Sequence, residues 1–137
     1  MNLLIDTNVL LDVFLQRKPF ENHSKRIFKM CVTKKCSGII AAHSYTNMFY
    51  ILRKHFEQKD LRKLLLNLSE VFEISCIDKQ KIVSSLQRTD FIDFEDCLQE
   101  ECALEMNGDY IITRNTEDFK NSRIPAVTPE EFLKYKG

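Results

Sequence analysis

Three groups of polar residues in this 137-residue chain could carry chemistry. They are the runs 6–8 (Asp-Thr-Asn), 93–96 (Asp-Phe-Glu-Asp) and 113–118 (Thr-Arg-Asn-Thr-Glu-Asp). If the three runs meet in space, their carboxylates repel one another and stay ionised at neutral pH only when a cation neutralises them. Mg²⁺ and Mn²⁺ prefer oxygen ligands and need only one or two direct carboxylates. The runs therefore predict a divalent metal site.

The chemistry of such a site is phosphodiester hydrolysis, because a divalent ion polarises a phosphoryl oxygen and lowers the pKa of an attacking water. Each run also has a plainer interpretation. The run 6–8 could cap a helix, Asp93 and Asp96 could interact with a helix dipole, and Asp118 could be a turn residue. Their joint placement next to predicted strand ends favours the metal site.

The apolar pattern around these runs predicts alternating strands and helices. We expect strands at 3–5, 37–40, 71–77, 109–113 and 126–127. We expect helices at 9–15, 20–34, 44–55, 60–70, 78–88, 93–106 and from 128 onward, with Thr128 as the N-cap of the last one. This order predicts a three-layer α/β/α fold with a mostly parallel sheet of four or five strands. Ligands bind beyond the carboxyl ends of such strands, where the runs 6–8 and 113–118 would meet.

Composition points to one domain over residues 1–137. Only 3 Gly and 3 Pro interrupt the chain, and 44% of its residues are hydrophobic. The 5 Cys form no C-x-x-C pair, the apolar runs are far too short to span a bilayer, and the start lacks the pattern of a signal peptide. We expect a cytoplasmic protein with no membrane contact. Phenylalanines on the predicted helices could also pair two copies of the chain in a homodimer.

Charge is segregated along the chain although the net charge is zero. Residues 22–63 hold ten Lys or Arg and two acidic residues, whereas residues 64–109 hold three Lys or Arg and eleven acidic residues. The two segments could pair with each other as solvated helix faces, or the first could form a basic surface for a polyanion beside an acidic site. The charge pattern alone leaves both interpretations open.

Three segments together resemble the PIN-domain ribonucleases, many of which are toxins of bacterial toxin-antitoxin pairs. They are 3–12 (Leu-Leu-Ile-Asp-Thr-Asn-Val-Leu-Leu-Asp), 93–99 (Asp-Phe-Glu-Asp-Cys-Leu-Gln) and 110–119 (Tyr-Ile-Ile-Thr-Arg-Asn-Thr-Glu-Asp-Phe). The resemblance covers the whole chain. It implies an endoribonuclease that uses Mg²⁺ or Mn²⁺, with Asp6 and Asp96 as metal ligands, RNA as substrate and an antitoxin protein as partner.

The resemblance and the positions at strand and helix ends together give a set of site residues. We expect the catalytic residues to be Asp6, Asp93, Asp96, Asn115 and Asp118. We expect substrate contacts from Thr7, Asn8, Asn47, Thr113 and Arg114.

One position departs from the family pattern. Where the family usually has a Glu, this chain has Asn47, which keeps a carbonyl oxygen but lacks the charge, so metal affinity should fall. Asp93 is our preferred replacement for that charge, because it lies one helical turn before Asp96, and Glu95 is the other choice. The alternative function is a PIN-like domain that binds RNA or protein and cleaves little.

Other classes fit less well. No second His or acid accompanies His43 and Ser44 at a spacing that predicts a catalytic triad. Cysteines five residues apart match no zinc pattern, and no Gly-rich phosphate loop is present. An aspartyl-phosphate enzyme would have a second Asp at position 8, where this chain has Asn8, and a phosphoacceptor module would need a Lys after the strand 109–113.

Overall fold

The structure is a computed structural model that describes residues 1–136. Over these residues the strands are β1 (Asn2–Ile5), β2 (Ser37–Ala41), β3 (Glu73–Ser75), β4 (Tyr110–Ile112) and β5 (Ala126–Val127). The helices are α1 (Thr7–Phe14), α2 (Glu21–Val32), α3 (Ala42–Leu52), α4 (Gln58–Val71), α5 (Lys79–Gln87), α6 (Phe94–Glu105) and α7 (Pro129–Lys136). One turn of 3₁₀ helix spans Thr116–Phe119.

The five strands form one parallel sheet in the order β3-β2-β1-β4-β5, which confirms the predicted fold class. β1 lies in the centre, with Leu4 opposite Ile39 of β2 on one side and Ile111 of β4 on the other. The first crossovers place strands on one side of β1 and the later ones place strands on the other. Strand order therefore reverses next to β1, where parallel sheets bind their ligands.

Both faces of the sheet are buried, which explains why its strands read as continuous apolar runs. Leu3 and Ile5 face a core that includes residues of α1, α2, α3, α4 and α7. Leu4 faces the opposite core, to which α6 contributes Cys102 and Ala103. Side chains of β1 pack into cores on both faces of the sheet. The next residue, Asp6, is therefore held in a fixed position at the end of the strand.

Helix ends agree with the sequence at two places. Asn107 adopts a left-handed conformation (φ 55°) directly after α6, as expected of the C-cap region Asn107-Gly108. Before α7, the Thr128 hydroxyl accepts a hydrogen bond from the Glu131 N–H, and the Glu131 carboxylate accepts one from the Thr128 N–H. This reciprocal pair is a capping box with Pro129 at the first helical position.

Other boundaries differ from the prediction. β3 covers only Glu73–Ser75 rather than 71–77, because Val71 ends α4. The Phe72 ring packs over Gly38 of β2 so closely that a Cβ on Gly38 would lie 2.3 Å from it. α1 and α3 begin directly after β1 and β2, earlier than their apolar periodicity indicated. Among residues 1–136, no helix is long and apolar enough to cross a membrane.

Candidate functional site

A cleft of about 390 Å³ opens at the C-terminal edge of the sheet, beyond the end of β1. We call it the acidic cleft. Residues from the junction between β1 and α1, from α1, from α3, from α6 and from the segment after β4 contribute to it. Its lining comprises Asp6, Thr7, Asn8, Leu11, His43, Asn47, Tyr50, Ile51, Glu95, Asp96, Gln99 and Asn115.

Asp6 is held in the acidic cleft by donors on both of its carboxylate oxygens. The Thr113 hydroxyl donates to Oδ2 at 2.7 Å, and the Gln99 side-chain amide donates to Oδ1 at 3.3 Å. Asp6 is the N-cap residue of α1, yet its side chain makes no capping hydrogen bond. Only 7% of the residue is exposed. The plainer interpretation of Asp6 as a helix cap therefore fails, because its carboxylate is bound elsewhere.

The two residues that hold Asp6 differ from expectation. Thr113 was expected to contact substrate, but it is fully buried, and its hydroxyl is used by Asp6 and by the Asn115 N–H. Sequence reasoning assigned no role to Gln99. Its position three residues after Asp96 on α6, which places both side chains on one helix face, was the available signal.

Ser44, also assigned no role, completes the buried polar network around Asp6. Its hydroxyl accepts hydrogen bonds from Thr7 at 2.8 Å and from the Gln99 amide at 3.3 Å. The network therefore joins the start of α1 to α3 and α6. Hydrogen bonds that link three elements in this way fix the orientation of the Asp6 carboxylate between them.

Asp96 lies in the first turn of α6 and lines the acidic cleft. Burial, followed by the negative charges of Asp6, Asp93, Asp118 and Glu95, raises its pKa to about 7. Burial also raises the pKa of Asp6, although its hydrogen bond from Thr113 opposes the change. Two crowded carboxyl groups with raised pKa values indicate a site that lacks positive charge.

Asp93 lies outside the lining of the acidic cleft. It is the N-cap residue of α6, and its carboxylate accepts a hydrogen bond from the Asp96 N–H at 3.0 Å. The residue adopts an extended backbone rather than a helical one, so it does not share a helix face with Asp96 in the expected way. Glu95 lines the cleft instead and accepts a long hydrogen bond of 3.5 Å from the Asn47 amide. The charge beside Asn47 thus comes from Glu95.

The remaining predicted residues are divided between the cleft and its surroundings. Thr7, Asn8, Asn47 and Asn115 line the acidic cleft. Asp118, on the 3₁₀ turn, is outside the lining but near enough to raise the pKa of both Asp6 and Asp96. Arg114 is outside the lining of the acidic cleft, and its Nε lies 2.6 Å from Oδ2 of the buried Asp12.

The chemistry of these donors fits a hard cation. Within residues 1–136, no three His, Cys, Asp or Glu side chains form a group that could enclose a metal ion. Asp6 and Asp96 supply carboxylates, and the Asn8 and Gln99 carbonyl oxygens are buried without a hydrogen-bond partner in the described chain. Mg²⁺ commonly binds through one or two carboxylates and completes its shell with water and phosphate oxygens. The residues present therefore fit an open site rather than a closed cage.

His43 also lines the acidic cleft. Burial lowers its pKa, while the charge of Glu95 acts in the opposite direction. Both ring nitrogens are buried and lack a hydrogen-bond partner among residues 1–136. A neutral imidazole in this position can shape the wall beside Asn47 without adding positive charge.

The basic segment 22–63 does not pair with the acidic segment 64–109. Over residues 1–136, none of the ion pairs joins the two segments. Part of the basic segment lies near the acidic cleft, because the Arg53 guanidinium stacks 4.1 Å from the ring centroid of Tyr50, which lines the cleft. Over these residues the structure therefore lacks the ion pairs that the first interpretation, pairing of the basic segment with the acidic segment, requires.

Comparison with known proteins gives consistent results. The PIN domain family model matches residues 2–117. Ribonuclease VapC1 of Aquifex aeolicus (strain VF5) is 26% identical over 133 residues, which cover 95% of this chain and 92% of the relative.

Solved structures show the same fold. A toxin-antitoxin complex from Klebsiella pneumoniae contains a chain 26% identical to this one, with a TM-score of 0.68 and coverage of 92% of this chain and 96% of the other. VapBC2 from Rickettsia felis, bound to a DNA fragment from its promoter, matches at 15% identity and a TM-score of 0.68, covering 93% and 98% of the two chains. At that identity the second likeness concerns the fold alone.

Proposed function

The chain belongs to the PIN domain family, and from this premise we propose that it is a metal-dependent endoribonuclease that hydrolyses RNA phosphodiester bonds in the acidic cleft. The observation that carries the proposal is the pair Asp6 and Asp96. Both carboxyl groups line one cleft at the carboxyl edge of the sheet, and both have raised pKa values. The similarity to Ribonuclease VapC1 supports RNA as the substrate.

Asp6 and Asp96 are the proposed metal ligands. Mg²⁺ or Mn²⁺ held by them would polarise a phosphoryl oxygen and lower the pKa of an attacking water. Thr113 and Gln99 keep the Asp6 carboxylate oriented and prevent it from rotating away. Asn115 and Asn8 present amide groups to the substrate on the cleft wall.

Glu95 is the proposed source of the charge that Asn47 lacks. It lines the cleft beside Asn47, whereas the Asp93 carboxylate is occupied as a helix cap. Glu95→Gln should weaken Mn²⁺ binding. Asp93→Ala should instead lower the free energy of unfolding by about 1 kcal/mol, the usual value of an N-cap, with little direct effect on metal affinity.

A second candidate function is an RNA- or protein-binding PIN domain that cleaves little. Asn47 favours it, because an amide stands where the family pattern has an acid, and so does the lack of a three-residue metal group among residues 1–136. In this case Asp6 and Asp96 would remain as a structural pair. Cleavage and binding measurements on the same variants separate the two functions.

Partners follow from the similar structures as part of the proposal. The Klebsiella pneumoniae complex pairs a toxin with an antitoxin, which supports an antitoxin protein as the partner of this chain. We also propose that the chain forms a homodimer, folds as a single domain over residues 1–137 and is located in the cytoplasm. Size-exclusion chromatography coupled to light scattering measures the first of these directly.

The deciding experiment is cleavage of a mixed RNA pool with Mg²⁺ or Mn²⁺ and with EDTA. Wild-type protein should cleave only with the metal, and Asp96→Asn should not cleave while remaining folded. Asp60→Asn, at an exposed position of α4, is the matched control for an acid-to-amide change, and it should cleave like the wild type. Equal cleavage in EDTA, or full activity of Asp96→Asn, would refute the proposal.

A further inference from the structure

A second cleft, of about 380 Å³, opens near the same edge of the sheet as the acidic cleft. It lies between the segment before α2, the segment after β4 and the first turn of α7. Both β4 and β5 end next to it. Its lining comprises Pro19, Phe20, His23, Arg114, Thr128, Pro129 and Glu130.

Arg114 and Phe20 form a layered platform in this second cleft. The Arg114 guanidinium lies 4.2 Å from the centroid of the Phe20 ring. Its Nε donates to the Asp12 carboxylate at 2.6 Å, and Asp12 is fully buried. The ion pair therefore fixes the plane of the guanidinium against the ring.

The platform is open to a ligand. Phe20 is 39% exposed, and 24% of the Arg114 side chain is exposed. Among the described residues 1–136, the two terminal nitrogens of Arg114 donate no hydrogen bond, since only Nε is used. A flat surface with available N–H donors is what proteins present to single-stranded nucleic acid bases.

The position of Arg114 connects the two clefts. Thr113, one residue before it, holds Asp6 in the acidic cleft. Asn115, one residue after it, lines that cleft. Three consecutive residues therefore link the acidic cleft to the platform.

The charge of the second cleft favours a base over a phosphate. Glu130 lies in the same lining as the cationic platform, and a carboxylate repels phosphate oxygens. It can accept a hydrogen bond from the exocyclic amino group of a base, while a guanidinium can donate to the acceptors of a base. A mixed donor and acceptor lining around a flat platform matches the edge and the face of a nucleobase.

We infer that the second cleft is a nucleobase-binding subsite, in which a base adjacent to the cleaved phosphodiester bond continues the stack of Phe20 and Arg114. The ligand class is an unpaired base with an exocyclic amino group, such as adenine. The inference rests on the proposed function for the source of that base, namely an RNA substrate. Recognition of the base itself does not depend on cleavage.

The experiment measures nucleotide binding without catalysis. Adenosine 5′-monophosphate and ribose 5-phosphate are titrated separately into ¹⁵N-labelled protein in EDTA and followed by NMR. The first should shift the Phe20 amide and the Arg114 Nε–H signals with a dissociation constant of roughly 1–10 mM, as expected for one stacked base that also accepts a hydrogen bond from a charged group. Ribose 5-phosphate, which lacks the base, should leave both signals unchanged.

Variants of Phe20 test the platform. Phe20→Leu should weaken nucleotide binding about 5-fold or more, whereas Phe20→Tyr should retain it because the aromatic face remains. Tyr135→Leu, at an exposed position of α7, is the matched control. Arg114 is left intact, because its removal would leave the buried Asp12 carboxylate unpaired.

The outcomes distinguish this inference from the proposed function. Equal shifts with ribose 5-phosphate, or nucleotide binding that Phe20→Leu leaves unchanged, would overturn the subsite. Absence of nucleotide shifts at Phe20 in a protein that cleaves RNA would overturn the subsite and leave the proposed function standing. Base-dependent shifts in a protein that never cleaves RNA would support the subsite and remove the proposed nuclease.

Discussion

Replacing Asp96 by Asn should stabilise the metal-free protein while removing its activity. The side chain lies in a site of crowded acids, where burial and the charges of Asp6, Asp93, Asp118 and Glu95 raise its pKa to about 7. Ionisation of Asp96 therefore opposes folding when no cation is present. The amide in Asp96→Asn keeps the shape of the side chain and removes the charge.

The size of the effect follows from the pKa. Moving a carboxyl pKa from 3.8 to about 7 corresponds to roughly 4 kcal/mol, at about 1.4 kcal/mol per pH unit. Asp96 is only partly buried, so solvent screening reduces this figure, and we expect a gain of about 1–2 kcal/mol. For a domain of this size the melting temperature should rise by about 3–8 °C.

The gain depends on pH in a defined direction. The folded protein holds the Asp96 proton more tightly than the unfolded chain, so the contribution of this group to wild-type stability falls as the pH rises from about 4 to 7 and is then constant. Asp96→Asn lacks this titration. The difference between the two proteins should be near zero at pH 4, should grow through pH 5 and 6, and should be complete at pH 8.

The assay is urea unfolding in EDTA at pH 4, 6 and 8, followed by circular dichroism, with Asp60→Asn as the control. Addition of Mg²⁺ at pH 8 should stabilise the wild type and leave Asp96→Asn unchanged, since only the wild type keeps both ligands. A variant that is equally or less stable than the wild type at pH 8 in EDTA would refute the argument from charge crowding.

Three further predictions concern the same region. Asn47→Glu should tighten Mn²⁺ binding, measured by calorimetric titration, and raise RNA cleavage at low metal, but it should lower stability in EDTA because Glu95 lies beside it. Cleavage that stays at background would favour the binding-only function. Gln99→Leu should lower kcat more than it raises KM by releasing one oxygen of Asp6, whereas unchanged kinetics would show that Thr113 alone is enough. Arg53→Gln should reduce the slope of log affinity against log salt for single-stranded RNA by about 0.7, and an unchanged slope would mean that the stack on Tyr50 contacts no phosphate.

The central part of the site was predictable from the sequence because it depends on strand ends. Apolar runs that stop at a polar residue mark the end of a buried strand, and parallel strands end at one edge. Asp6 and Asn115 were located by this rule. The rule also identified Thr113, but it does not say whether a residue after a strand faces the cleft or the interior, and Thr113 faces the interior.

The roles of Asp93 and Glu95 were harder to predict, because they depend on where α6 begins. A start one residue earlier would have placed Asp93 on the face of Asp96, as expected. The helix begins at Phe94, so Asp93 caps it and Glu95 lines the cleft. Gln99 was missed for another reason. A glutamine on a helix can have many roles, and only its contact with Asp6 in the structure shows that it holds that carboxylate.

The central position of β1 has a consequence for the newly made protein. β1 hydrogen-bonds to β4, and Asp6 meets Thr113 across 107 positions of the chain. Contacts with so large a sequence separation form late, because a long loop must close before they are made. While the chain emerges from the ribosome, the first residues of the acidic cleft are present, but the partners that orient them have not yet been synthesised. The acidic cleft is therefore assembled only after the segment that contains Thr113 has left the ribosome, which is itself made largely of RNA.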